Sequence, residues 1–469
     1  MLWEAHSLFG NERRSLRVSG GKTRKTAKNC DLKLVQIFVL VFLVLSVFAI
    51  LNWQSASASE IKPQKRGIGH APIHINGNSQ FTSANGVTAG SGTQDDPYII
   101  EGWNISANDG IYCIWIENTD VWFVVRNCNV WSIISYGAEI YLKNVTNGKL
   151  ENNTCYGHRY SIRLESSISN TLTNNTFWGG GIFIEGSSIA HWNTHNIETT
   201  NLVNGKPVYY YKNQEGGIVP SDAGQVILAN CTHMAVSGLK VKDSLRGIQV
   251  GFSSYNTIMN NSITNTNCPP NSYGIYIYFS SNNTITTNNC SGNSYGIYLW
   301  HSNSNNITNN NCSTNWVGIS LDSSNYNDIT NNTCSGNPYG IYLYYSGTCN
   351  IANNNCSANS YGIYIYSSRN NTIANNTCSA NSEGIYLSRT NTNTITYNNF
   401  RQNTYYAIYI TDGSTTNSIH HNNFRHNNGA GRGVSANSQA YDGVYGNSWY
   451  DNTTQEGNYW SNWDGNGWG

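Results

Sequence analysis

The sequence predicts an all-β fold: a right-handed, single-stranded parallel β-helix (a solenoid of 22-residue coils), preceded by an N-terminal hydrophobic helix. Three columns in one register carry that expectation. Gly274, Gly296, Gly318, Gly340, Gly362 and Gly384 stand 22 residues apart. So do Cys268, Cys290, Cys312, Cys334, Cys356 and Cys378, with Phe400 next, and so do Ile285, Ile307, Ile329, Ile351, Ile373 and Ile395. A fixed period of this length marks a solenoid, in which each unit buries its apolar side against its neighbours. Within one unit Ile297-Tyr298-Leu299-Trp300 alternates, so Ile297 and Leu299 point inward and both rings outward. Ile307 and Cys312 supply the other inward points, and Asn-rich corners separate the short strands. A leucine-rich repeat has a similar period, but it needs several Leu and a helical side per unit. This sequence offers neither.

The elements follow in chain order. Residues 1–33 form a basic segment, with eight Lys/Arg against three Asp/Glu. Leu34–Leu51 runs eighteen residues without a charge, and residues 34–53 are expected to be a transmembrane anchor or a signal h-region. The basic segment then stays in the cytoplasm. Ser55-Ala56-Ser57-Ala58 offers the small residues of a signal cleavage site. Anchored at the cell surface or secreted, the rest of the chain is extracytoplasmic. Residues 54–90 read as a linker, 91–427 as the β-helix and 428–469, rich in Trp, as a C-terminal cap. Residues 198–225, with Asn204-Gly-Lys-Pro207 and Tyr209-Tyr-Tyr211, break the repeat and read as a loop inserted into one coil.

Composition narrows the function. Only 11% of residues are charged, against roughly 25% in ordinary domains. With 26 charges of each sign in the whole chain, residues 34–469 hold 18 basic and 23 acidic groups. Such a body lacks the basic patch that grips phosphates, so no nucleic acid is expected as partner. Two Asn columns, Asn288 to Asn398 and Asn293 to Asn403, read as structural: Asn tolerates left-handed corners, and stacked amides can hydrogen-bond along the solenoid. The Cys column reads as a ladder of buried thiols, because neighbours ~4.8 Å apart have parallel rather than converging Cα–Cβ vectors. Disulfides and a soft Cu(I) site are its alternatives. His191, His195, His420, His421 and His426 show no ligand spacing, so no metal site is assigned.

Two patterns could carry chemistry. Tyr276, Tyr298, Tyr342, Tyr364 and Tyr386 form one outward column, and Tyr278, Trp300, Tyr344 and Tyr366 another on the same face. A contiguous strip of rings marks an interaction surface, although rings paired across strands also stabilise a sheet unaided. Glu165 and Glu185 follow strands on neighbouring coils. Stacked at ~5 Å they would match the carboxylate pair of a retaining glycosidase.

These features together resemble the NosD-type periplasmic β-helix family, whose repeats belong to the carbohydrate-binding and sugar-hydrolase repeat group. The resemblance runs from Gly92-Thr-Gln-Asp-Asp-Pro-Tyr-Ile-Ile-Glu-Gly102 through Val203-Asn-Gly-Lys-Pro-Val-Tyr-Tyr210 and the repeats to Gly457-Asn-Tyr-Trp460. It implies the pectin lyase-like fold and, from the family's namesake, copper delivery to nitrous-oxide reductase. It also implies calcium at an acidic tail, which here is reduced to Asp464-Gly-Asn-Gly467. The expected function is a non-catalytic cell-surface module that binds polysaccharide or cell-envelope components through its Tyr face. A polysaccharide hydrolase or lyase using Glu165 and Glu185 is one alternative, and a copper-delivery accessory protein is the other.

Overall fold

The computed structural model describes residues 68–107, 112–132, 137–157, 160–264, 272–429 and 437–462, all within one compact unit, Pro63–Gly469. The segments 1–33 and 34–53, Cys268 and the tail after Asn462 lie outside the described residues. Among the described residues no helix is long and apolar enough to cross a membrane. The fold is a parallel β-solenoid of about 14 coils with almost no helix.

Each strand of one coil pairs in parallel with its equivalent in the next, so like residues stack. Ile297 lies over Ile319 and Leu299 over Leu321, and Ile307 over Ile329. The inward Ile and Leu columns are fully buried, at about 1.5–3 kcal/mol per side chain. Cys290, Cys312, Cys334, Cys356 and Cys378 stand in the same core, buried and unbridged. The glycine column has a steric cause. A Cβ on Gly318 would lie 2.5 Å from the carbonyl oxygen of Gly340 in the next coil, and each neighbour in the column meets the same contact. The 22-residue period is not kept everywhere. Asn261 is followed in its column by Asn288, 27 residues on, so Ile263 rather than Cys268 occupies the rung beneath Cys290. The extra residues fall after Thr264.

Adjacent asparagines divide two tasks. Asn310, Asn332 and Asn354 are buried and form a chain of amide-to-amide hydrogen bonds along the core edge. The left-handed corner is the residue before each of them: Asn309, Asn331 and Asn353, at φ of 57°, 57° and 58°.

Two sequence expectations need correction. The linker 54–90 contains Ile68–His70, Ile73–Asn76 and Val87–Ala89, which pair with Trp103–Ser106, Tyr112–Thr119 and Tyr98–Glu101. The solenoid therefore already includes Ile68. Nor is 198–225 a protruding loop. Leu202–Val203 closes the two-residue turn Asn204-Gly205 onto Lys206–Lys212, and that strand pairs in parallel with Gln225–Ala229. Asn-Gly supplies the two positive φ values, 49° and 78°, that such a tight turn requires.

This reversal splits the solenoid into two halves with separate cores. The five-stranded sheet of the N-terminal half ends at Ile182–Glu185, whose edge is finished by side chains instead of a strand. The Gln225 amide donates to the Ile182 carbonyl (2.7 Å) and accepts from the Ile182 N–H (2.9 Å); the Gln249 amide also donates to that carbonyl (2.6 Å). The outward side chains of the second half's first strands thus become part of the first half's core, Ile227, Tyr276 and Tyr278 among them.

Candidate functional site

The aromatic residues lie on the outward side of the longest sheet, three positions per strand. The strands are Tyr273–Tyr278, Tyr295–Trp300, Val317–Asp322, Tyr339–Tyr344, Tyr361–Tyr366 and Glu383–Ser388, stacked in that order. From Tyr342 onward one ladder of rings is continuous. Centroids are 5.3 Å apart for Tyr342–Tyr364, 4.8 Å for Tyr364–Tyr386, 5.1 Å for Tyr386–Tyr409 and 4.8 Å for Tyr409–Tyr441. Tyr344 and Tyr366 form a parallel rung at 5.4 Å, and Tyr339 and Tyr361 another at 5.2 Å. These spacings are close to the coil pitch, so the backbone itself brings the rings into contact.

The face is bounded at one end and broken once. Tyr276 and Tyr278, expected on an open face, are each only 3% exposed. Trp192, on the short helix Ala190–Asn193, stacks on Tyr278 (5.3 Å), and Arg246 lies 4.0 Å from Phe183 and 3.8 Å from Tyr273. Gly251 allows this. A Cβ there would come within 2.2 Å of the Trp192 ring. The break is the strand Val317–Asp322, which presents Val317, Ser320 and Asp322 where its neighbours present rings. Accessible surface therefore begins with the half-buried Tyr298 and Trp300 and continues from Tyr339. Glu383 sits in the Tyr339 and Tyr361 column, half-buried, and burial pushes its carboxyl up to about 7.

Glu165 and Glu185 do stack, as neighbours across paired strands. Between them lies the Arg163 guanidinium, with one nitrogen 2.7 Å from each carboxylate. Tyr141 also donates to Glu165 (2.5 Å). The gap where a glycosidic oxygen would enter is thus filled by a cation.

A metal ion needs open access and donors in their deprotonated form. The thiol ladder offers neither: its sulfurs are buried and burial drives the Cys312 thiol pKa well up, away from the thiolate a metal requires. A different set comes together at the far end. His420, His421 and Asp451 place one ligand atom each within 4.8 Å of one another. Burial and the neighbouring His421 lower the His420 pKa, and hydrogen bonds from the Thr453 backbone lower that of Asp451. Sequence spacing did not expose this set. Its signal was a break in two columns, at His420 and His421.

The profile of a family described as periplasmic copper-binding protein (NosD) matches residues 208–337 and 270–465. No curated protein matches the chain. Among solved structures, the A-module of a mannuronan C-5 epimerase from Azotobacter vinelandii is similar at 14% identity, covering 69% of this chain and 90% of its own, with a TM-score of 0.36. The tailspike protein of Dettilon has 14% identity, coverage of 71% and 63%, and a TM-score of 0.38. An exopolygalacturonase from Thermotoga maritima has 13% identity, coverage of 65% and 82%, and a TM-score of 0.34.

Proposed function

Because the chain belongs to the periplasmic copper-binding protein (NosD) family, we propose that it is an extracytoplasmic β-helix that binds an extended polysaccharide, or a similar envelope polymer, along its aromatic face without cleaving it. The observation that carries this reading is the ladder from Tyr342 to Tyr441, a line of rings repeated at coil pitch on an accessible face. Such a line is matched by a ligand that repeats along its own length. One aromatic contact is worth about 0.5–1.5 kcal/mol. Four or five in series reach millimolar to micromolar affinity if the ligand is already extended. The Arg163 clamp on Glu165 and Glu185 supports a structural role for that pair, so hydrolysis is the weaker reading.

Titration calorimetry of the full-length protein against oligosaccharides of increasing length tests the proposal. Affinity is expected to rise with length and to depend little on salt, because the face carries few charges. Replacing Tyr386 and Tyr409, adjacent rings of that ladder, with Ala should weaken binding at least tenfold with circular dichroism unchanged. Binding that ignores ligand length, or survives the double replacement, would sink it. New reducing ends that disappear with Glu165→Gln would transfer the function to the carboxylate pair.

A further inference from the structure

We propose that His420, His421 and Asp451 form a surface site for one divalent transition-metal ion, with Cu(II) the best match to the donor set. The two histidines stand at positions where the earlier coils carry other residues. His420 lies in the outward column whose earlier members are Thr308, Thr330, Ala352, Ala374 and Thr396. His421 takes the left-handed corner held earlier by Asn309, Asn331, Asn353, Asn375 and Tyr397, and keeps its conformation, φ 55°. Asn adopts that conformation at least as readily as His, so the corner does not explain the imidazole.

The corner does decide where the ring goes. Consecutive residues of a strand point to opposite faces; a left-handed residue at the strand end cancels that alternation. Both imidazoles then share one side, with their Nδ1 atoms 2.6 Å apart. These two nitrogens share a hydrogen bond; held ~2.0–2.1 Å from one ion at a right angle they would stand ~2.9 Å apart, so the rings need to part by only a few tenths of an ångström. The third donor arrives from 30 residues downstream. Asp451 is seated in a tight turn, its N–H donating to the Glu456 carbonyl (2.8 Å) and its Oδ1 accepting from the Thr453 N–H (2.8 Å). The same segment is tied to the corner by the His421 N–H, which donates to the Gly457 carbonyl (2.8 Å).

An outer layer orients the ligands. Glu456 lies 2.6 Å from His421 Nε2, which favours the tautomer with a proton on Nε2 and a free lone pair on Nδ1. A carboxylate on the distal nitrogen is the usual partner of a ligating imidazole. Tyr397 stacks on the His421 ring at 4.9 Å. Imidazole and carboxylate donors suit Cu(II), Ni(II) and Zn(II), and the general order of stability places Cu(II) highest. Three protein donors leave coordination positions open, which suits an ion that is taken up and passed on. The family description already names copper; the site, its donors and the oxidation state are the inference.

The test uses full-length protein without a histidine tag. Calorimetry with Cu(II) should find one tight equivalent per chain, and electron paramagnetic resonance should show coupling to two nitrogens. His420→Thr combined with His421→Asn restores the residues that earlier coils carry, so the fold is kept and checked by circular dichroism. This variant should lose the equivalent, with affinity down at least a hundredfold. Asp451→Asn should weaken binding about tenfold while retaining both nitrogen couplings. Unchanged binding in the double variant, no nitrogen coupling in the parent protein, or an Asp451→Asn variant that binds normally would each overturn the three-donor site.

Discussion

Glu139, between Ala138 and the inward Ile140, occupies the place in its strand that Gly274 and its repeats occupy in theirs, directly before the first inward Ile. It is 2% exposed, and its Oε2 has no hydrogen-bond partner among the described residues. Burial pushes the carboxyl up to about 8. In the unfolded chain the same group titrates near ~4.3. Below that pH both states hold the proton and there is no linkage. Between there and about pH 8 the folded state holds a proton that the unfolded state has released, so stability falls as pH rises. Above that the loss is complete. Glu139→Gln should therefore flatten the pH dependence and stabilise the protein at pH 8.5 by on the order of a few kcal/mol. Urea denaturation at pH 4 and 8.5 checks this, and parallel shifts in parent and variant would contradict it. Glu383 obeys the same rule at the surface. A neutral glycan laid over it desolvates the carboxylate further and so binds the protonated form better. Glycan affinity should fall as pH rises through about 7, and Glu383→Gln should remove that fall.

Each coil is an element that cannot finish its own hydrogen bonds. Asn332 shows how the next coil completes them: its Oδ1 accepts from the Asn310 backbone N–H (2.9 Å) and side-chain amide (3.1 Å), and its Nδ2 donates to the Ile307 carbonyl (2.8 Å) and to Asn354. Asn332→Ala leaves several buried groups unpaired, each costing about 1–3 kcal/mol. The expected loss is at least ~3 kcal/mol. Asn331→Gly, one residue earlier, keeps the left-handed corner at little cost, since Gly adopts that conformation freely. Thermal denaturation of the two variants separates the roles, and similar melting temperatures would refute the division. The Asn columns were legible because their period is that of the Ile and Cys columns. Which of two adjacent asparagines turns the corner was not legible. The residue type is the same at both, and only the backbone distinguishes them.

The whole unit depends on the docking of one half against the other. Trp192 is fully buried, donates from Nε1 to the Gly186 carbonyl (3.2 Å) and stacks on Tyr278. With Gln225 and Gln249 it replaces the strand that would otherwise continue the N-terminal sheet. Solenoid stability is a sum of local and neighbour terms, so loss of one interface uncouples what lies on its two sides. Trp192→Ala, a change that typically costs about 3–5 kcal/mol, should resolve a single calorimetric transition into two, the N-terminal half melting first. One transition, merely displaced, would mean the halves are coupled by other contacts.

The sequence alone determined the all-β solenoid, the inward Ile and Cys columns and the line of outward rings. All of these follow from strand alternation repeated at a fixed period, and stacking makes each rung report on the next. Irregular regions were decided only in three dimensions. The reversal at Asn204-Gly205 buries Tyr276 and Tyr278 while Tyr344 and Tyr366 remain accessible, although all four look alike in the repeat. The Arg163 clamp on Glu165 and Glu185, and the meeting of His420 and His421 with Asp451, are likewise tertiary. Periodicity carries information only between equivalent positions. Contacts between non-equivalent ones depend on where a side chain or a returning segment crosses the coils, and no column records that.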